Sequence, residues 1–178
     1  LPSAEPENGL LAYYKFEPVS IEPYKLWDYS GNNHHGSLLN FVDNAWLDGM
    51  EGMSLNFDGI NDTIRLPTIK GDHKTFSFWI KPDTDISGTG EEMTIWNPLR
   101  GNGNSAFKIN SGGSHFLFKY YAENTRSLSN SNIGVLTGWH HLVLSYDSQY
   151  SFYLNGTLLG IDGQNHVKQR TSDSPEIG

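Results

Sequence analysis

The chain has 178 residues, with 20 Asp and Glu against 12 Lys and Arg, a net charge of −8 and 13% aromatic residues. That length suits one domain, able to bury roughly 70% of its extended surface. The acid excess excludes nucleic acid and anionic membrane as main partners, since both need a basic face. There is no cysteine, which excludes thiol catalysis, thiolate zinc sites and disulfides. No run of about 18 apolar residues exists to span a bilayer as a helix.

Leu1–Gly9 reads as a loose lead-in to a domain over residues 10–178. A start at Leu1 rather than Met suggests a mature terminus left after removal of an export signal, and so a protein outside the cell. Strand-like segments then recur at short intervals: Leu10–Glu17, Gly36–Phe41, Met53–Phe57 and Thr63–Leu66. Ser54–Pro67 reads as a hairpin, with Leu55 and Phe57 on one face, Ile64 and Leu66 on another, and Asp58, Gly59 and Asp62 in the turn. In Thr75–Lys81 the alternation puts Phe76, Phe78 and Ile80 on one face and Ser77, Trp79 and Lys81 on the other. Met93–Trp96, Ala106–Asn110 and His115–Tyr121 follow. Trp139–Asp147 alternates again, and Tyr150–Asn155 with Thr157–Ile161 forms a hairpin over Asn155-Gly156, a pair favoured in type I′ turns. Asp83–Glu92 and Ala122–Gly134 read as long polar loops. No segment holds a helical period over three turns. Roughly eleven short strands between turn clusters predict an all-β antiparallel sandwich or barrel.

Five segments, in order, carry a family resemblance: Gly9–Glu17; Asp28-Tyr29-Ser30-Gly31-Asn32; Trp46 through Phe57-Asp58-Gly59; Phe76–Pro82; and Gly138-Trp139-His140-His141-Leu142 with Tyr153-Leu154-Asn155-Gly156. Together they resemble the laminin G-like branch of the concanavalin A-like lectin/glucanase jelly rolls. The resemblance implies a two-sheet antiparallel jelly-roll sandwich. By analogy one or two strands would follow Pro175-Glu176-Ile177-Gly178, so a sheet edge is expected to be filled by strand addition from a neighbour or by self-association.

Asp28, Ser30 and Asn32 place oxygens at alternate positions of a tight loop. Calcium takes six to eight oxygens at about 2.3–2.6 Å. The loop is not an EF-hand, because Asn33 stands where the glycine belongs and Leu39 where the bidentate Glu belongs. The resemblance implies a structural calcium here, with Glu17 as the second carboxylate. The alternative is an Asx-turn in which Asp28 caps its own loop. Asp58–Asp62 is either a self-capped turn or a second cation or sugar-contacting rim.

A retaining glycosidase needs carboxylates roughly 5–5.5 Å apart, a Glu-x-Asp-x-Glu pattern on one strand face. None exists, and the adjacent Glu91 and Glu92 would face opposite ways. Adjacent His34-His35 and His140-His141 cannot share one zinc on a strand. Trp27, Trp96, Tyr120 and Tyr121, with Asp62, are the candidate ligand-binding residues; Trp79 and Trp139 read as scaffold. The expectation is a non-catalytic extracellular recognition module for a glycan or a surface protein, with a loop-ordering calcium. The alternative is a structural subunit or surface domain of a filament, envelope or virus-like assembly.

Overall fold

The computed structural model describes residues 9–42, 45–69, 74–82, 92–97, 105–110, 115–122, 124–130, 138–147, 149–162 and 176–177. Among them there is no helix, and so none long and apolar enough to cross a membrane. The strand pairings with a defined register are antiparallel, as expected. Contacts group the chain into two compact units, Leu1–Ile69 with Thr171–Gly178, and Lys70–Arg170.

The first unit contains β1 (Lys25–Leu26), β2 (Gly36–Leu39), β3 (Trp46–Asp48), β4 (Met53–Leu55), β5 (Thr63–Arg65) and the last strand in the chain, β14 (Glu176–Ile177). β2 and β14 both pair with β5, and β1 pairs with β2. The side chains follow the period of two: Leu38 is 5% exposed and Ile64 0%, while Ser37 between strands faces water. Leu26, Leu38, Phe41, Ala45, Ile64 and Leu66 make the core, with Tyr14, Phe16, Leu55, Phe57 and Ile177 packed around it. Gly36 sits against this core so closely that a Cβ would stand 2.9 Å from a Leu66 methyl.

Two expectations fail here. Ser54–Pro67 is not a hairpin, because β4 pairs with β3 and β5 pairs with β2 and β14. Leu55, Phe57, Ile64 and Leu66 meet in one core instead of pairing across a ladder. Leu10–Glu17 is not a strand either; its one bridge is Tyr14 to Asp28. The Asp28 side chain, not a backbone carbonyl, accepts from Tyr13 N–H, and Phe16 turns to φ 56°. Both interrupt a regular ladder. Residues 1–8 of the expected lead-in lie outside the described residues.

The second unit contains β6 (Lys74–Ile80), β7 (Glu92–Asn97), β8 (Ser105–Asn110), β9 (His115–Ala122), β10 (Asn124–Asn130), β11 (His140–Asp147), β12 (Gln149–Leu154) and β13 (Thr157–Asp162). One sheet runs β13-β12-β11-β6, and the strands β7, β8, β9 and β10 pair in succession. Leu142, Leu144 and Phe152 are 0%, 3% and 3% exposed, the inward face of the first sheet. Asn155 and Gly156 have φ 49° and 79°, as a type I′ turn requires. β10 corrects the expected loop over Ala122–Gly134: a nearly apolar-free segment is held by a continuous register with β9, from Asn124 opposite Ala122 to Asn130 opposite Phe116. The loop over Asp83–Glu92 lies outside the described residues up to Glu91.

Candidate functional site

Asp28 is 4% exposed and ties the first unit together. Its Oδ1 accepts from Tyr13 N–H (2.8 Å) and Ser30 N–H (2.9 Å), and its Oδ2 from the Ser30 hydroxyl (2.9 Å) and His34 N–H (2.9 Å). Its own N–H donates to His35 Nδ1 at 3.0 Å. Burial pushes the carboxyl up, but the donors from Tyr13, Ser30 and His34 outweigh it and hold it below the usual aspartate value. Burial, and then the charge of Asp28, push the Tyr14 phenol well above its ordinary value. Desolvation, with Lys25 nearby, lowers His35.

Those contacts engage the residues expected to ligate calcium. A carboxylate offers about four lone-pair sites, and on Asp28 each already receives a donor. Asn32 donates its amide to the Leu10 and Leu11 carbonyls, at 2.8 and 3.2 Å. The Ser30 hydroxyl is engaged with Asp28. Glu17 is exposed and lies beside Gly52, where a Cβ would stand 3.4 Å from Glu17 Oε1. Among the described residues no group of three or more His, Asp or Glu is placed to hold a metal ion. These contacts are those of an Asx-type loop capped by Asp28.

Asp58–Asp62 closes on itself in the same way. Asp58 Oδ1 accepts from the N–H groups of Ile60 and Asn61, at 2.7 and 3.1 Å, while Asp62 Oδ2 accepts from Asp58 N–H at 2.9 Å. The backbone donors of Ile60 and Asn61 hold the Asp58 carboxyl low. Gly59, at φ 72°, supplies the left-handed residue. Asp62 is 8% exposed.

Trp27 is half-buried. Lys25 Nζ sits 3.9 Å from its ring centroid and His35 meets it edge-on at 4.7 Å. Its indole N–H is buried without a partner. Trp96 stands in β7 opposite Phe107, and Tyr120 and Tyr121 in β9 opposite Arg126 and Thr125. Trp27 and Asp62 thus belong to the first unit, and Trp96, Tyr120 and Tyr121 to strands of the second. The histidines are hydrogen-bonded rather than clustered: His34 with the Leu11 carbonyl, His35 with Asp28 N–H, His140 with Asn155 and His141 with Ser77.

Trp79, which sequence reasoning set aside as scaffold, lies at the surface. Trp79 is 47% exposed on the outward face of β6. It stacks on His141, its partner across β11, with centroids 4.9 Å apart and planes at 29°. His141 Nε2 is held 2.8 Å from the Ser77 hydroxyl. One row along, the hydroxyls of Thr75 and Ser145 meet at 3.0 Å. Ser77, Val143, Tyr153 and Leu158 form a lateral row across the sheet, ending on Leu158 at 45% exposure. The period-two pattern of Thr75–Lys81 already separated Trp79 from the core residues Phe76, Phe78 and Ile80.

The sequence matches the family described as the concanavalin A-like lectin/glucanases superfamily over residues 58–178. No curated protein matches. Among solved structures, the receptor binding domain of botulinum neurotoxin D is similar with TM-score 0.64 and 18% identity, over 94% of this chain and 44% of that one. The binding domain of Paraclostridial Mosquitocidal Protein 1 gives 0.60 and 16%, over 85% and 44%. Domain 4 of AbnA, a GH43 extracellular arabinanase from Geobacillus stearothermophilus, in complex with arabinotriose, gives 0.54 and 23%, over 85% and 76%. The chain thus spans less than half the length of either toxin domain. These likenesses are of fold: an all-β antiparallel jelly roll.

Proposed function

We propose a recognition role from one premise: this chain belongs to the concanavalin A-like lectin/glucanases superfamily. It is a non-catalytic binding module acting outside the cell, and its ligand is a glycan or a surface protein. The two acidic turns lend support to the non-catalytic half. Glycoside hydrolysis needs one carboxylic acid kept protonated by a raised pKa. Here the buried Asp28 and the turn residue Asp58 are both pushed the other way, held ionised by backbone N–H groups. They serve as structural caps, not as proton donors.

The binding half draws support from similar folds named as binding domains, and from an arabinanase domain seen with arabinotriose. The extracellular placement draws on that enzyme being extracellular. Arabino-oligosaccharides are accordingly the first ligands to try. The test is an array of surface and plant-wall glycans read beside a reducing-end assay on the matching polysaccharides. Binding to at least one glycan with no release of reducing ends is the expected result. Release of reducing ends would overturn the non-catalytic assignment, and binding to no glycan would remove the glycan half.

A further inference from the structure

We infer that the outward face of the β13-β12-β11-β6 sheet, centred on Trp79, is a binding site for a neutral oligosaccharide. The inference rests on the recognition role proposed above and adds the place and the ligand chemistry. A single exposed aromatic is ordinary. Three further features set Trp79 apart. Its indole is braced on one face by His141, and His141 is itself fixed by the Ser77 hydroxyl, so the ring is held in place before any ligand arrives. With one face against His141, 47% of the residue remains in solvent. Such a surface suits the C–H face of a sugar ring.

The second feature is the lining. Ser77, in the next row of the same face, brings its hydroxyl nearest the indole, with Tyr153 two strands away in that row; Thr75 and Ser145 add hydroxyls one row further on. Hydroxyls next to one rigid aromatic match the alternating C–H and O–H surfaces of a sugar better than the broad apolar centre of a protein interface.

The third feature is charge. The rows crossing β6 and β11 from Trp79 with His141 to Thr75 with Ser145 hold no Asp, Glu, Lys or Arg, in a chain with 32 such residues (20 acidic and 12 basic). Lys81, two residues beyond Trp79 on the same face, is the nearest fixed charge; apart from that one cation the patch complements an uncharged ligand. The protein's net charge of −8 adds discrimination against an acidic glycan.

The experiment is calorimetry of the full chain against neutral tri- to hexasaccharides of arabinose, xylose, glucose, mannose and galactose, with uronate and sialylated oligosaccharides alongside. Trp79→Ala should weaken binding of a neutral ligand at least about tenfold, and Ser77→Ala by a smaller factor. Circular dichroism of each variant checks the fold. Trp79→Phe supplies a second readout: ligand should shift the tryptophan emission of the wild type but not of this variant. Neutral-ligand binding that survives both Trp79→Ala and Ser77→Ala would overturn the site and leave the recognition role standing. Preference for the acidic glycans would overturn the ligand chemistry. If the wild type binds no member of either set, the glycan role and the site fall together.

Discussion

Asp28→Ala removes a carboxylate that accepts four hydrogen bonds. Tyr13, at 48% exposure, can turn its N–H to water. Ser30, at 2%, cannot, and the His34 N–H is half-buried. Each buried donor left without a partner costs about 1–3 kcal/mol, and the half-buried His34 N–H about 1–2 kcal/mol, so the two predict a loss of about 2–5 kcal/mol. Against a typical total of about 5–15 kcal/mol this is large. At about 2–4 °C per kcal/mol it lowers the thermal midpoint by roughly 4–20 °C. Asp28→Asn should lose less. Its oxygen still accepts from Tyr13 and Ser30, and the Ser30 hydroxyl can turn to accept from the new amide. Only His34 N–H then faces an N–H. Urea unfolding read by tryptophan fluorescence gives both values. An Asp28→Ala protein within about 0.5 kcal/mol of wild type would refute the assignment of Asp28 as the knot of the first unit.

Acid should destabilise the protein in two stages. His35 has a lowered pKa in the fold, so below its ordinary value near 6.5 the unfolded chain takes a proton that the folded chain does not, and stability falls. Asp28 and Asp58 are also lowered, so their contribution is present above about 3.8 and is lost as pH drops through their folded values. Midpoints measured from pH 8 to 3 should decline first below about pH 6.5 and more steeply below about 4; a flat profile would contradict both shifts. Leu142→Ala, at a site with 0% exposure, should cost about 2–5 kcal/mol in the same urea assay, whereas a loss under 1 kcal/mol would mean that the sheet does not pack there. Gly36→Ala should cost about 1–3 kcal/mol, since its Cβ would stand 2.9 Å from Leu66 and 3.3 Å from Ile64 and Leu26. Exchanging EDTA for calcium should leave the midpoint of the wild type unchanged; a rise of several degrees that Asp28→Asn abolishes would show calcium displacing the hydrogen-bond donors.

Much of the second unit was legible because its strands alternate. Thr75–Lys81 and Trp139–Asp147 have period-two patterns that the β6–β11 register reproduces, with Leu142 opposite Phe78 and His141 opposite Trp79. Asn155-Gly156 announced its turn through the one backbone conformation that the pair favours. Other parts were hidden for physical reasons. β1 is two residues long and has no periodicity to read. β10 has almost no apolar residues and exists by its backbone ladder to β9. Leu10–Glu17 has strand composition, yet its neighbour offers a side-chain carboxylate in place of a carbonyl. Trp79 was passed over for a related reason. Aromatics near loops were chosen, whereas alternation within a strand is what brings Trp79 to the surface; its outward register was written in the sequence and its use was not.

A two-dimensional NMR titration of the full chain with the tightest-binding neutral oligosaccharide tests the central claim most directly. Shifts confined to the Trp79 indole N–H, His141, Ser77 and their row neighbours, with the sugar recovered intact, are what this account predicts. Shifts centred on Asp28 or Asp58, or a sugar recovered cleaved, would contradict it.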